Sequence, residues 1–320
     1  MRSGFLSILS ALLLVAPCAA QPKLSKVGLV SHVPGGPGRS MTGDGVETFR
    51  QELGRLGYVE GQNLMLQSRF DGEIGLRELL QANVDVLVAL YSPMALAAKR
   101  STTSIPIVAV GTRDPVEQGL VQSLARPGAN VTGIAVGPAG GGVAPIKRLE
   151  ILQEIAPRVS RVAYLTNLAF PGAQPFVPVI VRAAPKLGLM VQPFDVRSEP
   201  DIDKAFTDLL GGGFGGVVVA AEIPRRGRII ALAAKHRLPV VYTLRWDVTD
   251  GGLVAYDIDR LELFRRAAHL VDRILKGTKP ADLPFEQPTR FELVINLKTA
   301  KTLGLIVPPS LMVRATEIIE

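Results

Sequence analysis

Apolar and polar residues are arranged in blocks along this chain. The run Lys26–Val33, "KVGLVSHV", is rich in β-branched apolar residues and has the length of a buried strand. In "VETFRQELGRLGY", Val46, Phe49, Leu53 and Leu56 recur at helical spacing, and Gly57 stops the helix. "NLMLQSRF" predicts a second strand, with Leu64 and Leu66 on one face and Met65 and Gln67 on the other. Val84–Leu90, "VDVLVAL", is a third strand, and "SPMALAAKRS" is a helix with Pro93 in its first turn. "IPIVAV" is the fourth strand. It stops at a polar, Gly- and Pro-bearing stretch, "GTRDPVEQGLVQSLARPGANVTG", before the chain turns apolar again at Val131.

The series then restarts. "RLEILQEIAP" is a helix ended by Pro157, "RVAYLTN" a strand, and 176–187 a helix despite its prolines. "LMVQPFDV", "GGVVVAA", "PVVYT" and "GGLVAYDI" are strands. Between them "DIDKAFTDLLGGG" and "RGRIIALAAKHRL" are helices. "DRLELFRRAAHLVDRILKG" carries a stripe of Leu261, Phe264, Ala268, Val271 and Leu275. Asp259 caps it, Glu262 follows three residues on, and Gly277 closes it.

Continuous apolar strands separated by helices mean a mainly parallel sheet covered on both faces. Two such series predict an α/β chain of two doubly wound parallel-sheet lobes, each of about 120 residues. The Gly-rich stretch Gly137–Gly142 lies near their boundary.

In such sheets a ligand sits beyond the carboxyl ends of the strands, where loops lead into helix N-termini. The first lobe offers Ser31 and His32, then Tyr91 and Ser92, then Asp114. Asn167, Glu222, Tyr242 with Arg245, and Tyr256 with Asp257 stand at the strand ends of the second. Together they would line a cleft with hydroxyls, tyrosines and a few charges, suited to a small polar, partly apolar guest. Ser92 seats an anionic group or caps its own helix. Asp114 receives an ammonium or caps the turn before Pro115. Glu222 and Arg245 pair with each other or with the guest. His236 and His269 fall within helices and are surface or core-edge residues.

Composition narrows the function. The chain has 320 residues, 47% hydrophobic and 20% charged, as expected of a protein with a real core. Its net charge of +7 is dispersed; "PRRGR" at 224–228 is the densest basic spot and aromatics are only 5%. That excludes the concentrated, aromatic-interleaved surface of a nucleic-acid binder. Met1-Arg2, the apolar run Phe5–Val15 and the small residues before Gln21 have the three-part layout of a secretory signal over 1–20, cleaved after Ala20. Its apolar core is about 11 residues, short of the roughly 20 that span a bilayer. A lipid-bearing cysteine wants a small residue before it. Pro17 precedes Cys18, so lipid anchoring is disfavoured. Cleavage would leave a mature, exported chain without cysteine. No G-x-S-x-G, H-E-x-x-H, C-x-x-C or GK[ST] motif is present, and three scattered histidines make no metal site. Neither cofactor nor metal is expected, and the balance favours binding over turnover. Two rivals stay open: an exported hydrolase using Asp114 and Glu222, and a sensor domain reporting to a membrane kinase.

Several stretches carry a family resemblance: "FRQELGRLGYVEGQNL", "DVLVALYSPMALAAKRSTTSIPIVAVGTRDPVEQGLVQSLARPGANVTGI", "KRLEILQEIAP" and "LFRRAAHLVDRILKGTKPADLPFEQPTRFELVINLKTAKTLGLIVPPSLM". They resemble the ABC transporter substrate-binding protein family of the tryptophan/amino-acid-associated type. The resemblance implies a bilobal, type I periplasmic binding fold and a monomer that delivers a small molecule to a membrane permease, with no catalysis. It implies three crossings between lobes, near Thr132–Val136, Val254–Asp257 and Phe285–Arg290. The lobes would then be 21–134 with 257–284, and 135–256 with 285–320. Ser92-Pro93, Asp114-Pro115, Asn167 and Tyr256 match the family's cleft positions. Three features depart from the pattern: the glycine-heavy loop Pro34–Gly45, "GPAGGGVAPIK", and "YDID" where the family more often has Tyr-Gly-Pro.

Overall fold

A computed structural model describes residues 24–32, 41–136, 143–170, 173, 176–223 and 225–320. The expected signal segment with Cys18, most of the Gly-rich loop after the first strand, and Gly137–Gly142 lie outside the described residues.

Strands β1 (Ser25–Val30), β2 (Leu64–Arg69), β3 (Val86–Leu90), β4 (Ile107–Thr112) and β5 (Val131–Ala135) form one five-stranded sheet in the order β2-β1-β3-β4-β5. Every pairing is parallel. Helices α1 (Met41–Arg55), α2 (Glu73–Gln81) and α3 (Tyr91–Ser101) connect its first four strands. Val86, Val88 and Leu90 face one core cluster of this sheet; Leu87 and Ala89 face another. With both faces buried, β3 has no polar alternation, which is why it reads as an unbroken apolar run.

The second sheet holds β6 (Arg161–Thr166), β7 (Met190–Asp195), β8 (Gly216–Val219), β9 (Val240–Tyr242), β10 (Val254–Ile258), β11 (Phe291–Asn296) and β12 (Glu317–Ile319). Its order is β12-β11-β10-β9-β8-β6-β7, parallel except for the antiparallel β10–β11 pair. Its helices are α4 (Val143–Ile155), α5 (Phe176–Ala183, extended by a 3-10 turn), α6 (Glu199–Gly211), α7 (Arg226–His236) and the short α8 (Arg245–Thr249). Helices α10 (Leu297–Leu303) and α11 (Pro309–Arg314) follow β11. The intervening helix, α9 (Arg260–Leu275), returns to the first sheet. There Leu263, Phe264, Ala267 and Val271 pack with Phe49, Val108 and Val110. Asp259 caps it as expected, its Oδ1 accepting the Glu262 N–H at 3.0 Å.

The fold is therefore α/β with two doubly wound lobes joined by three crossing segments. Two of the expected crossings need correcting in detail. The apolar revival at Val131 is β5, an edge strand of the first sheet, and the chain crosses only after Val136. Strand β10 lies inside the second sheet between β9 and β11, so that crossing falls between Ile258 and α9. Phe285 and Glu286 remain with the first lobe: Glu286 donates to the Gly133 carbonyl at 2.8 Å and accepts from the Ala135 N–H at 2.8 Å. The Asp259 N–H donates to the Arg290 carbonyl at 3.0 Å, tying the second and third crossings together. Gly133 is required where β5 nears β4, since a Cβ there would lie 1.9 Å from the Ala109 carbonyl oxygen.

Candidate functional site

The carboxyl ends of β3 and β4 have unusual backbones. Tyr91 follows β3 with φ of 66° and Asp114 follows β4 with φ of 34°. Non-glycine residues rarely adopt these values, each costs about 1–3 kcal/mol, and such strain gathers at functional sites. Gly111 beside the Tyr91 ring takes φ of 72°, a left-handed backbone that favours glycine. Ser92 Oγ accepts the Arg113 N–H at 3.0 Å, pinning the β3 end to the β4 end. It makes no cap bond to its own helix. Asp114 Oδ1 accepts the Glu117 N–H at 3.2 Å, so its carboxylate caps its own turn. Thr112 Oγ1 is buried without a hydrogen-bond partner among the described residues. Ser31 is fully buried, and its backbone bonds to Arg69 and Gly72; exposed His32 meets Tyr91 edge-on at 6.1 Å.

Arg113, which the strand-end reading passed over, joins the two lobes. Its guanidinium lies 4.7 Å from the Phe176 ring centroid and 6.0 Å from that of Phe170, both on the second lobe. Burial lowers its pKa, opposed by the charge of Glu222. The signal lay in "GTRDP", which places a cation directly beyond the carboxyl end of β4.

Glu222 sits beyond β8. Its Oε1 accepts from the Thr166 hydroxyl at 2.7 Å and the Asn167 N–H at 3.3 Å, at the end of neighbouring β6. Asn167 Oδ1 in turn accepts the Ala169 N–H at 3.0 Å. Arg226 holds this loop by donating to the carbonyls of Ala220 at 2.8 Å, Ala221 at 2.6 Å and Ile223 at 3.1 Å. It also binds Thr243 Oγ1 at 2.9 Å and the Asp247 carboxylate. Below lies buried Tyr164, its hydroxyl pKa pushed up to about 12 by burial and by Glu222.

Three expected site residues have other occupations. Asp257 is buried and clamped: Arg148 Nη2 donates to its Oδ1 at 3.0 Å, and Arg260 Nε and Nη2 to its Oδ2 at 2.9 and 2.5 Å. Arg148 Nε also donates to the Tyr256 carbonyl at 2.7 Å. Burial alone would raise the Asp257 pKa, yet the Arg260 and Arg148 guanidiniums hold it below the usual aspartate value. Tyr242 is 1% exposed in the core of the second lobe, packed over Gly252, where a Cβ would come within 2.7 Å of its ring. It supports the sheet rather than a guest. Arg245 is exposed and pairs with Glu317 at 2.5 and 2.7 Å, so it does not pair with Glu222. Tyr256 is half-buried, its ring stacked on Phe291 at 5.6 Å. What comes together is Tyr91, Ser92, Arg113 and Arg260 from one lobe with Asn167, Glu222, Phe170 and Phe176 from the other.

Among the described residues no group of three or more His, Cys, Asp or Glu could hold a metal, and no helix is long and apolar enough to cross a membrane.

Known proteins share this architecture. A tyrosine-binding protein of Clostridioides difficile (strain R20291) is 25% identical over 270 residues, 80% of this chain and 75% of the relative. An ABC domain from Streptococcus pneumonia, solved in complex with L-Trp, superimposes with a TM-score of 0.76 at 22% identity, covering 93% of this chain and 100% of that one. A conserved domain protein of Vibrio cholerae gives 0.77 at 25% identity, covering 92% and 100%. The sequence profile of the ABC transporter substrate binding protein family matches residues 30–319, and the chain belongs to that family of solute-binding receptors.

Proposed function

We propose that this receptor takes up its solute in the cleft between the two lobes, outside the cytoplasm in the periplasm, and hands it to an ABC permease. The observation that carries this reading is the inter-lobe constellation: Arg113 of the first lobe lies against Phe170 and Phe176 of the second, with Glu222 acting on its charge. A guest bound there touches both lobes at once, so it stabilises the closed arrangement over any open one. The lobe limits, expected as 21–134 with 257–284 and 135–256 with 285–320, enter the proposal shifted by a few residues: Ala135, Phe285 and Glu286 go with the first lobe, Asp257 and Ile258 with the second, and the return of α9 to the first sheet supports this division. The guest is an amino acid or small carboxylate with an aromatic body. The tyrosine-binding and L-Trp-bound relatives support that class. The ligand residues are Ser31, His32, Tyr91, Ser92, Asp114, Asn167, Glu222 and Tyr256 from the strand ends, with Arg113, Phe170 and Phe176 added. The protein acts as a monomer and turns nothing over. The signal layout at 1–20 supports export.

The test is a thermal-shift and calorimetric panel of amino acids and small carboxylates against the purified chain. A micromolar ligand corresponds to about −8 kcal/mol, and at one hundred times its Kd it stabilises the folded state by about 2.7 kcal/mol. At least one member should raise the melting point, and Arg113→Ala should remove that rise. A flat response across the whole panel overturns the ligand class.

A further inference from the structure

Asp257 fixes one edge of the Arg260 guanidinium and leaves the rest of it open. Nε and Nη2 both donate to Asp257 Oδ2, at 2.9 and 2.5 Å. A guanidinium carries five N–H donors. With two of the five used on Asp257, three remain, two of them on Nη1, and none of these makes a hydrogen bond among the described residues. The side chain is 26% exposed, so a solute can reach it. It is also partly desolvated, and there a bond to a charged acceptor is stronger than in open water.

The place of Arg260 matters as much as its donors. It is the first residue of α9, just past the second crossing at Ile258. Tyr91 of the first lobe and Glu222 of the second both lie near enough to act on its charge, and Arg260 in turn acts on Arg113. The exposed part of its side chain therefore borders the cleft, on the side nearest the crossings. Glu222 does not fill the open donors: its Oε1 accepts from Thr166 and Asn167, and it forms no ion pair with an arginine among the described residues.

The neighbouring groups are engaged elsewhere. Arg148 is buried, with Nε on the Tyr256 carbonyl and Nη2 on Asp257. Arg113 turns its guanidinium onto the Phe176 and Phe170 rings. Ser92, expected from the sequence to seat an anion, accepts the Arg113 N–H on its hydroxyl oxygen. Arg113 and the rings are thus arranged to meet the body of a guest, while Arg260 presents the free edge of a planar fork.

Resting on the cleft assignment above, we infer that Arg260 is a ligand-binding residue that receives the solute's carboxylate on its Nη1 side, with the aromatic body lying toward Phe170 and Phe176. Arginine offers a planar carboxylate two parallel N–H groups, here one from Nη1 and one from Nη2. Asp257 holds the guanidinium in place beforehand, so little side-chain freedom is lost when the solute arrives. Asp257 is a positioning residue, since Arg148 and Arg260 occupy both its oxygens. The carboxylate end of the solute lies at the hinge side of the cleft. An uncharged amide in its place presents a donor of its own to that edge, and one of the two bonds becomes donor against donor. The contact therefore selects for a carboxylate as well as binding it.

The experiment pairs acids with their carboxamides in calorimetric titration of the full-length mature chain. The pairs are L-tyrosine with L-tyrosinamide, L-tryptophan with L-tryptophanamide, and 3-(4-hydroxyphenyl)propionate with its amide. The wild type should bind at least one acid about tenfold or more tightly than its amide, equivalent to ~1.4 kcal/mol. In Arg260→Met that acid should weaken about tenfold while its amide changes by less than about threefold, so the preference collapses. Circular dichroism and the ligand-free melting point check that the variant folds. A role confined to holding Asp257 weakens acid and amide alike, and that result overturns the inference. So does a wild type without preference for the acid, or a preference that survives Arg260→Met. A preference that collapses in Arg113→Met instead moves the carboxylate to Arg113 and leaves the cleft assignment standing. If Arg260→Met does not fold, or an amide binds too weakly to measure, a crystal structure of the wild type with the acid decides. A carboxylate oxygen within hydrogen-bonding distance of Nη1 is expected, and a carboxylate seated elsewhere overturns the inference. If none of these acids binds, the inference falls. If the wider panel of amino acids and carboxylates is also silent, the ligand class proposed above falls with it.

Discussion

Asp257→Ala is the most informative single perturbation. The side chain is 8% exposed and receives three hydrogen bonds from two guanidiniums, at 3.0, 2.9 and 2.5 Å. Removing it leaves Arg148, itself 5% exposed, opposite Arg260 with no anion between them. Breaking a buried ion pair by deleting one partner costs about 3–5 kcal/mol, because the surviving charge stays desolvated. Arg148 keeps its bond to the Tyr256 carbonyl, and Arg260 can turn toward water, so the lower end of that range applies. The expected loss is ~3 kcal/mol, more than a hundredfold in the folded-to-unfolded ratio. Urea unfolding followed by the fluorescence of Trp246, the chain's single tryptophan, measures it. The double variant Asp257→Ala with Arg148→Met should recover part of the loss, since it removes the stranded charge as well. A loss below about 1 kcal/mol, or simple additivity in the double variant, would refute the buried-clamp account.

The same carboxylate sets a pH dependence. Folding lowers its pKa, so its contribution is complete above the unfolded value of about 3.9 and disappears as pH falls through the folded value. The stability gap between wild type and Asp257→Asn should stay constant from pH 8 to 5 and narrow below about pH 4; a gap already closing at pH 6 would contradict this. Gly133→Ala drives a Cβ to 1.9 Å from the Ala109 carbonyl oxygen and should cost upwards of ~3 kcal/mol, read as a collapsed melting point or soluble yield. A wild-type melting point would refute the close β4–β5 approach. Arg245→Ala removes an exposed pair with Glu317 and should change stability by at most about 1 kcal/mol and leave ligand affinity unchanged. A clear affinity loss would return Arg245 to the cleft.

Much of the fold was legible because its signals are local. Parallel strands buried on both faces read as apolar blocks, and α9 carried its own cap at Asp259. The resemblance supplied the bilobal arrangement. Long-range pairing was not legible. Arg245 finds Glu317 across 72 residues and Arg148 finds Asp257 across 109, and no spacing rule announces either. Proximity to a strand end misassigned Tyr242, because β9 ends at that residue and its ring still lies within the sheet core. Arg113 was overlooked between Ser92 and Asp114, two residues with familiar turn chemistry. Its role rests on aromatic rings contributed by the opposite lobe. Helices α2 and α8 and the elements from β11 onward escaped the periodicity reading: α2 and α8 are short, and β12 has only three residues.

The bond between Asp259 and Arg290 has a mechanical corollary. Two strands of linker fastened side by side, one of them stapled through Glu286 to β5, resist sliding and shear. Rotation about that narrow ribbon is the soft motion left to the halves. Opening should thus resemble a swing about one axis, with the far rim of the mouth travelling most and the stapled corner hardly moving.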